Sequence, residues 1–207
     1  MNGLRRIAAL GALLALAGCG ETPPSGASAA DPAANPAEFI AEDGVVFTAV
    51  LEALLDDPEF RSVPSRNPGG KLVVCDLTPG LSWYITIGQL SVELRDRPEM
   101  PVELYNRLKA RNRRKIELSG IVSGRVLLAS APGVLKEKPW REEAFEQAYP
   151  EARGFVGFWL PAYSSDASTA LVRFTFGPTP HGACGTVFLE KRRGVWTVAW
   201  RKYAYYA

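Results

Sequence analysis

Histidine is almost missing from this chain: His181 is the only one in 207 residues, beside three cysteines and two methionines. So few soft or imidazole ligands argue against a structural zinc site, which takes four of them. The chain also lacks a G-x-S-x-G elbow, a P-loop and a dinucleotide fingerprint; Gly120 to Gly124 reads GIVSG, with its serine one place too late. No cofactor is implied by any of these patterns. The longest apolar run, Ile7 to Ala17, has eleven residues, a helix of only about 16 Å against a hydrocarbon core of about 30 Å. A membrane span is thereby disfavoured. Charge of one sign is lacking too, with 24 Lys and Arg against 22 Asp and Glu.

What the N-terminus does contain is Arg5 and Arg6, then the apolar run, then Leu16-Ala17-Gly18-Cys19, the layout of an export signal. The last four residues resemble the lipobox of bacterial lipoproteins. That resemblance implies cleavage before Cys19, a thioether-linked diacylglycerol on its sulfur and an N-acyl chain such as palmitate; Gly20 in place of an aspartate implies sorting to the outer membrane. The bilayer is then the expected partner through Cys19, and the location is the bacterial cell envelope. Removing residues 1–18 takes away two arginines and leaves 22 basic against 22 acidic residues. A neutral domain gives no reason to expect nucleic acid as a partner. Residues 19–38 carry four prolines and almost no large apolar side chain, which reads as a flexible tether. Residues 39–207 are expected to form a single globular domain.

The expected fold class is α+β: N-terminal helices followed by a C-terminal four-strand antiparallel meander. Val46, Phe47, Val50, Leu51, Leu54 and Leu55 recur at helical spacing over Asp43 to Leu55, with Asp43 as N-cap. KLVVCDL from Lys71 reads as a strand after the turn Asn67-Pro68-Gly69-Gly70. Further helices are expected over 87–95, from Pro101 to about Arg113, and over 140–148. GFVGFWL, TALVRFTF, GTVFLEK and VWTVAWRKY then read as four strands, Lys191 to Gly194 turning between the last two. In the last strand Trp196, Val198, Trp200 and Lys202 share one face by alternation, and that tryptophan face is expected to lie on the core. Tyr149-Pro150, Gly154, Ala170, Gly182-x-Cys184-Gly185, Leu189-x-Lys191 and Gly194-x-Trp196-x-Val198 resemble the C-terminal part of a group of uncharacterised bacterial secreted proteins and lipoproteins. That resemblance supports the meander and implies no activity.

With Cys19 assigned to lipid, Cys75 and Cys184 remain as an even pair in an oxidising compartment. They are a disulfide candidate, closing a loop of about 110 residues worth about 4 to 5 kcal/mol. Two buried thiols or a reactive thiol are the alternatives. Catalysis would need His181, acting on Cys75, Ser164 or Ser165; His181 and Cys184 sit three apart and fall on opposite faces of a strand. The other reading of His181 is a solvated turn residue. Asp56 with Asp57, and Glu142, Glu143 and Glu146, are acids where helix ends ordinarily carry them.

Arg107 to Lys115, RLKARNRRK, is more unusual, with six basic residues in nine positions and no acid. On a helix, Val102, Leu104, Tyr105 and Leu108 make an apolar stripe with Arg107, Arg111 and Arg114 alongside. Arg107, Lys109, Arg111, Arg113, Arg114 and Lys115 are thus a possible envelope-binding surface for anionic headgroups or an anionic envelope polymer; the plainer reading is a solvated helix end. Trp83, Trp140, Trp159, Trp196 and Trp200 supply core or sheet-face aromatics, and the terminal AYYA could form a partner surface. Together these features point to a membrane-anchored envelope lipoprotein acting as a noncatalytic binding or assembly domain, which could hold an envelope protein. The alternative is a small envelope hydrolase or thiol enzyme using His181.

Overall fold

Runs of β-branched and aromatic residues give rise to a mixed sheet with helices on both faces. The computed structural model describes residues 38–62, 67–79, 100–118, 121, 124–128, 142–177 and 183–205. Cys19, the helix expected over 87–95, Trp83, Trp140, His181 and the last two residues of the terminal AYYA lie outside them. The strands are β1 (Lys71–Val74), β2 (Val126–Leu128), β3 (Ala152–Phe158), β4 (Ala162–Tyr163), β5 (Thr169–Gly177), β6 (Ala183–Arg192) and β7 (Val195–Tyr205). They lie in the order β2-β1-β3-β5-β6-β7, with β4 set against β5.

The α+β class and the four-strand antiparallel run β3-β5-β6-β7 agree with expectation. The sheet is nevertheless mixed rather than a simple meander, because β1 pairs in parallel with both β2 and β3. A parallel return needs a long crossover, which the stretch between Val74 and Ala152 supplies. Leu72, Val73 and Val74 are all buried, the two-faced burial of a strand covered on both sides.

Helix α1 (Ala41–Asp56) and the short α2 (Pro58–Ser62) cover one face of the sheet. Val46, Phe47, Val50, Leu51 and Leu54 pack there with Leu72, Val156, Phe158, Phe174 and Val187, and Phe47 stacks on Phe158 at 4.6 Å. Helix α3 (Val102–Arg111) covers part of the opposite face, setting Leu104 and Leu108 with Leu171, Phe188 and Trp200. Helix α4 (Glu142–Ala148) covers another part, where Phe145 meets Val73 and Phe155. Ile40 caps α1, not Asp43; Asp43 stands three residues in and accepts the Ile40 N–H at 3.0 Å.

The shared tryptophan face does not survive in β7. Phe188 pairs with Trp200 but Leu189 pairs with Val198, so Ala199 is an extra residue, a β-bulge that reverses the alternation. Trp196 and Val198 consequently face α1, while Trp200 faces α3. Arg193 and Gly194 both take positive φ, 52° and 82°, making the tight two-residue turn that closes β6 onto β7.

Candidate functional site

The basic segment is divided between core and surface. Pro101 leads into α3, whose apolar residues Leu104 and Leu108 turn inward. Arg107 and Arg111 follow them, each only 1% exposed. Arg111 donates Nη1 to Asp43 Oδ1 and Nη2 to Asp43 Oδ2, both at 2.9 Å. It also donates to the carbonyls of Pro161 and Glu38. Arg107 donates to the Tyr163 carbonyl at 2.7 Å and pairs with Glu103. Asp43 takes a further hydrogen bond from Tyr163 Oη at 2.8 Å, and burial, then the Asp43 charge, pushes the Tyr163 pKa upward. Neither arginine is therefore available to an external anion, which corrects the six-residue surface. Lys109, Arg113, Arg114 and Lys115 are exposed.

Cys75 and Cys184 form no disulfide. Cys75 Sγ lies over Gly157, 3.7 Å from where a Cβ there would stand; Gly157 pairs with Thr175, and Thr175 with Cys184. The two thiols occupy one row of one face but are three strand spacings apart, about 14 Å. A disulfide requires Cα atoms within about 7 Å. Cys75 follows directly on β1 and Cys184 lies in β6 of the same sheet, and the sequence could not show that β3 and β5 lie between them. Burial, with the Asp76 charge, pushes the Cys75 thiol up to about 12, so it holds no thiolate at neutral pH. Cys184 instead lies beside a buried guanidinium, with Arg173 donating to its sulfur at 3.0 Å and to Thr186 Oγ1 at 2.8 Å.

Ser164, Asp56 and Asp57, singled out in the sequence, have structural partners. Ser164 Oγ donates to Asp166 at 2.6 Å and accepts the Thr169 N–H at 3.0 Å, closing the β4–β5 turn. Hydrogen bonds from Ser164 and then Ser168 hold the Asp166 carboxyl down at about 2. Asp57 is buried and receives the Glu59 N–H, Tyr203 Oη and Arg201. Asp56 is exposed and pairs with Arg61 and Arg125. These contacts fix turns and helix ends, and they do not form a paired acid and base. Among the described residues no cluster of three His, Cys, Asp or Glu could hold a metal. No helix among them is long and apolar enough to cross a membrane.

A feature with no local sequence signal is a cleft of about 620 Å³ at the starts of the three parallel strands, lined by Arg61, Lys71, Arg125 and Arg153 together with Gly69, Gly70 and Gly124. Its basic residues come from α2 and the starts of β1, β2 and β3, so only the topology unites them. Gly70 is required by packing: a Cβ would stand 2.2 Å from the Glu151 carbonyl oxygen. Asn67 donates to that same oxygen at 3.0 Å and accepts the Gly70 N–H through its carbonyl, so the turn is clamped to the start of β3. The chain matches no family model, no curated protein and no solved structure.

Proposed function

We propose that this protein is a lipid-anchored domain of the bacterial envelope, held to the bilayer through Cys19 and acting by binding rather than by catalysis. The anchor rests on the lipobox-like Leu16-Ala17-Gly18-Cys19 and the proline-rich residues after it. The observation that carries the reading is the capture of the Glu38 carbonyl by Arg111 Nη2 at 2.8 Å. It fastens the end of the expected tether to the last turn of α3, next to exposed Lys109, Arg113, Arg114 and Lys115. Even against exposed Glu38 and Glu117 this pole keeps an excess of positive charge. A cation close to an anionic membrane surface contributes about 1 kcal/mol, enough in a group of four to turn a tethered domain toward the headgroups. Outer-membrane sorting belongs to the same proposal through Gly20.

Mass spectrometry of the N-terminal peptide, with metabolic acyl labelling, tests the anchor. The expected peptide begins at Cys19 and carries acyl chains, and Cys19→Ser carries none. A mature N-terminus elsewhere, without acyl mass, overturns it.

A further inference from the structure

We infer that the cleft at the starts of β1, β2 and β3 is a binding site for a soluble ligand bearing a phosphoryl group. Among the described residues four cationic side chains line it and no carboxylate does. Glu52 and Asp56 hold Arg125 at 2.9 and 3.1 Å, and Asp56 also holds Arg61 at 3.3 Å. Arg61 Nε is fixed on the Leu55 carbonyl at 2.8 Å, and Arg153 is fixed on the Phe60 carbonyl at 2.9 Å with its guanidinium over the Phe60 ring. The guanidinium groups are thus oriented by the protein before any ligand arrives, which lowers the entropic cost of binding. Burial, then the charge of Arg61, lowers the pKa of Arg153. Like charges held this close are what an incoming anion relieves.

Gly69 and Gly124 add a second observation. Neither has φ in the left-handed region, and a Cβ on either would meet nothing within 4 Å among the described residues. Backbone geometry and packing therefore leave both positions open to larger residues, and with glycine there the main chain stays bare at the cleft wall. A bare main chain beside fixed guanidinium groups suits close approach of an oxyanion. Several cations exceed the need of a single carboxylate and match a dianionic phosphate. The volume falls within the range of about 300–1,000 Å³ typical of small-ligand sites.

The position of the cleft selects a soluble source over a lipid headgroup. Leu55 lines the cleft, whereas Asp43, at the other end of α1, shares Arg111 with the Glu38 carbonyl. About 18 Å of helix separates the two ends. With Glu38 and its cations turned toward a bilayer, the cleft lies at the far end of α1 from it. This orientation rests on the proposed anchoring; the phosphate site itself does not.

The test is titration calorimetry of the full chain in detergent with inorganic pyrophosphate at low salt. The expected result is saturable binding that weakens at least tenfold in Lys71→Glu, an exposed strand-start position, and in Arg153→Gln. Lys109→Gln/Arg113→Gln, at the other pole, should bind pyrophosphate as the parent does. Thermal unfolding of each variant separates lost binding from a lost fold, and Lys71→Glu is expected to keep the parental midpoint. No saturable heat from the parent overturns the site, as does tighter binding of malonate than of pyrophosphate. Equal weakening by the distal pair means only general charge attraction and also overturns it. Saturable binding that is lost in Lys71→Glu supports the site even if the N-terminus proves unacylated. If phosphatidylglycerol vesicles displace pyrophosphate from the cleft, the soluble source is overturned.

Discussion

Arg111 and Asp43, 68 residues apart in sequence, meet through two parallel hydrogen bonds of 2.9 Å in full burial. The pair joins the end of α3 to the start of α1, and the carbonyls of Pro161 and Glu38 complete the guanidinium's partners. Breaking a buried ion pair from one side leaves a charge without solvent or partner, at about 3–5 kcal/mol. Asp43→Ala and Arg111→Met are each expected to lose that much in urea unfolding. The double variant should lose clearly less than the sum. Charge reversal at Arg111 is consequently a stability experiment and gives no information on envelope binding.

The two thiols are reduced in the folded protein. In the Cys19→Ser chain, maleimide under denaturing, non-reducing conditions should label two cysteines. Under native conditions near neutral pH Cys75 should resist, because its pKa is raised to about 12 by burial. Absence of label after denaturation would mean a disulfide and contradict the strand order.

Acid should act partly through Glu42. Its carboxylate receives Lys191 Nζ at 2.7 Å and Trp196 Nε1 at 2.6 Å, and the Lys191 hydrogen bond leads in holding its pKa below 4.5 in spite of burial. A carboxyl depressed on folding stabilises above its unfolded pKa, and that contribution is lost as pH falls through the folded value. The stability gap between parent and Glu42→Gln should therefore be full above about pH 4.5 and shrink below it. Glu42 is partly exposed, so solvent screening keeps the gap small. A gap that widens in acid would contradict the pairing.

The bulge at Ala199 places Trp196 and Trp200 on opposite faces of β7. Trp196→Ala should cost about 3–5 kcal/mol, and Trp200→Ala less, since Trp200 is only half-buried. Their effects should add to within about 0.5 kcal/mol. A large coupling between them would restore the single tryptophan face.

The helices around Val46 and Leu104 and the four C-terminal strands were legible because hydrophobic period alone specifies them. Four features were not. The parallel pairing of β1 depends on a return of the chain between Val74 and Ala152, which no local pattern encodes. The bulge costs one residue, and the run VWTVAWRKY alternates equally well with or without it. Burial of Arg107 and Arg111 could not be read because a guanidinium enters a core only where carbonyls and a carboxylate converge from distant segments. One sequence signal pointed there: both follow Leu104 and Leu108 at helical spacing. The cleft left no signal at all, since Arg61, Lys71, Arg125 and Arg153 are dispersed along the chain.

Vesicle co-sedimentation tests the central claim, that the pole around Glu38 docks on an anionic membrane. The mature chain carrying Cys19→Ser is compared with the same chain bearing Gln at 109, 113, 114 and 115. The parent is expected to sediment with phosphatidylglycerol vesicles at low salt, not with phosphatidylcholine vesicles, and to be released as salt screens the contact. The four-Gln variant should bind more than about tenfold less tightly, while Lys71→Glu in the distant cleft should bind as the parent does. Equal binding of parent and four-Gln variant, or no binding of the parent to anionic vesicles, would contradict the account.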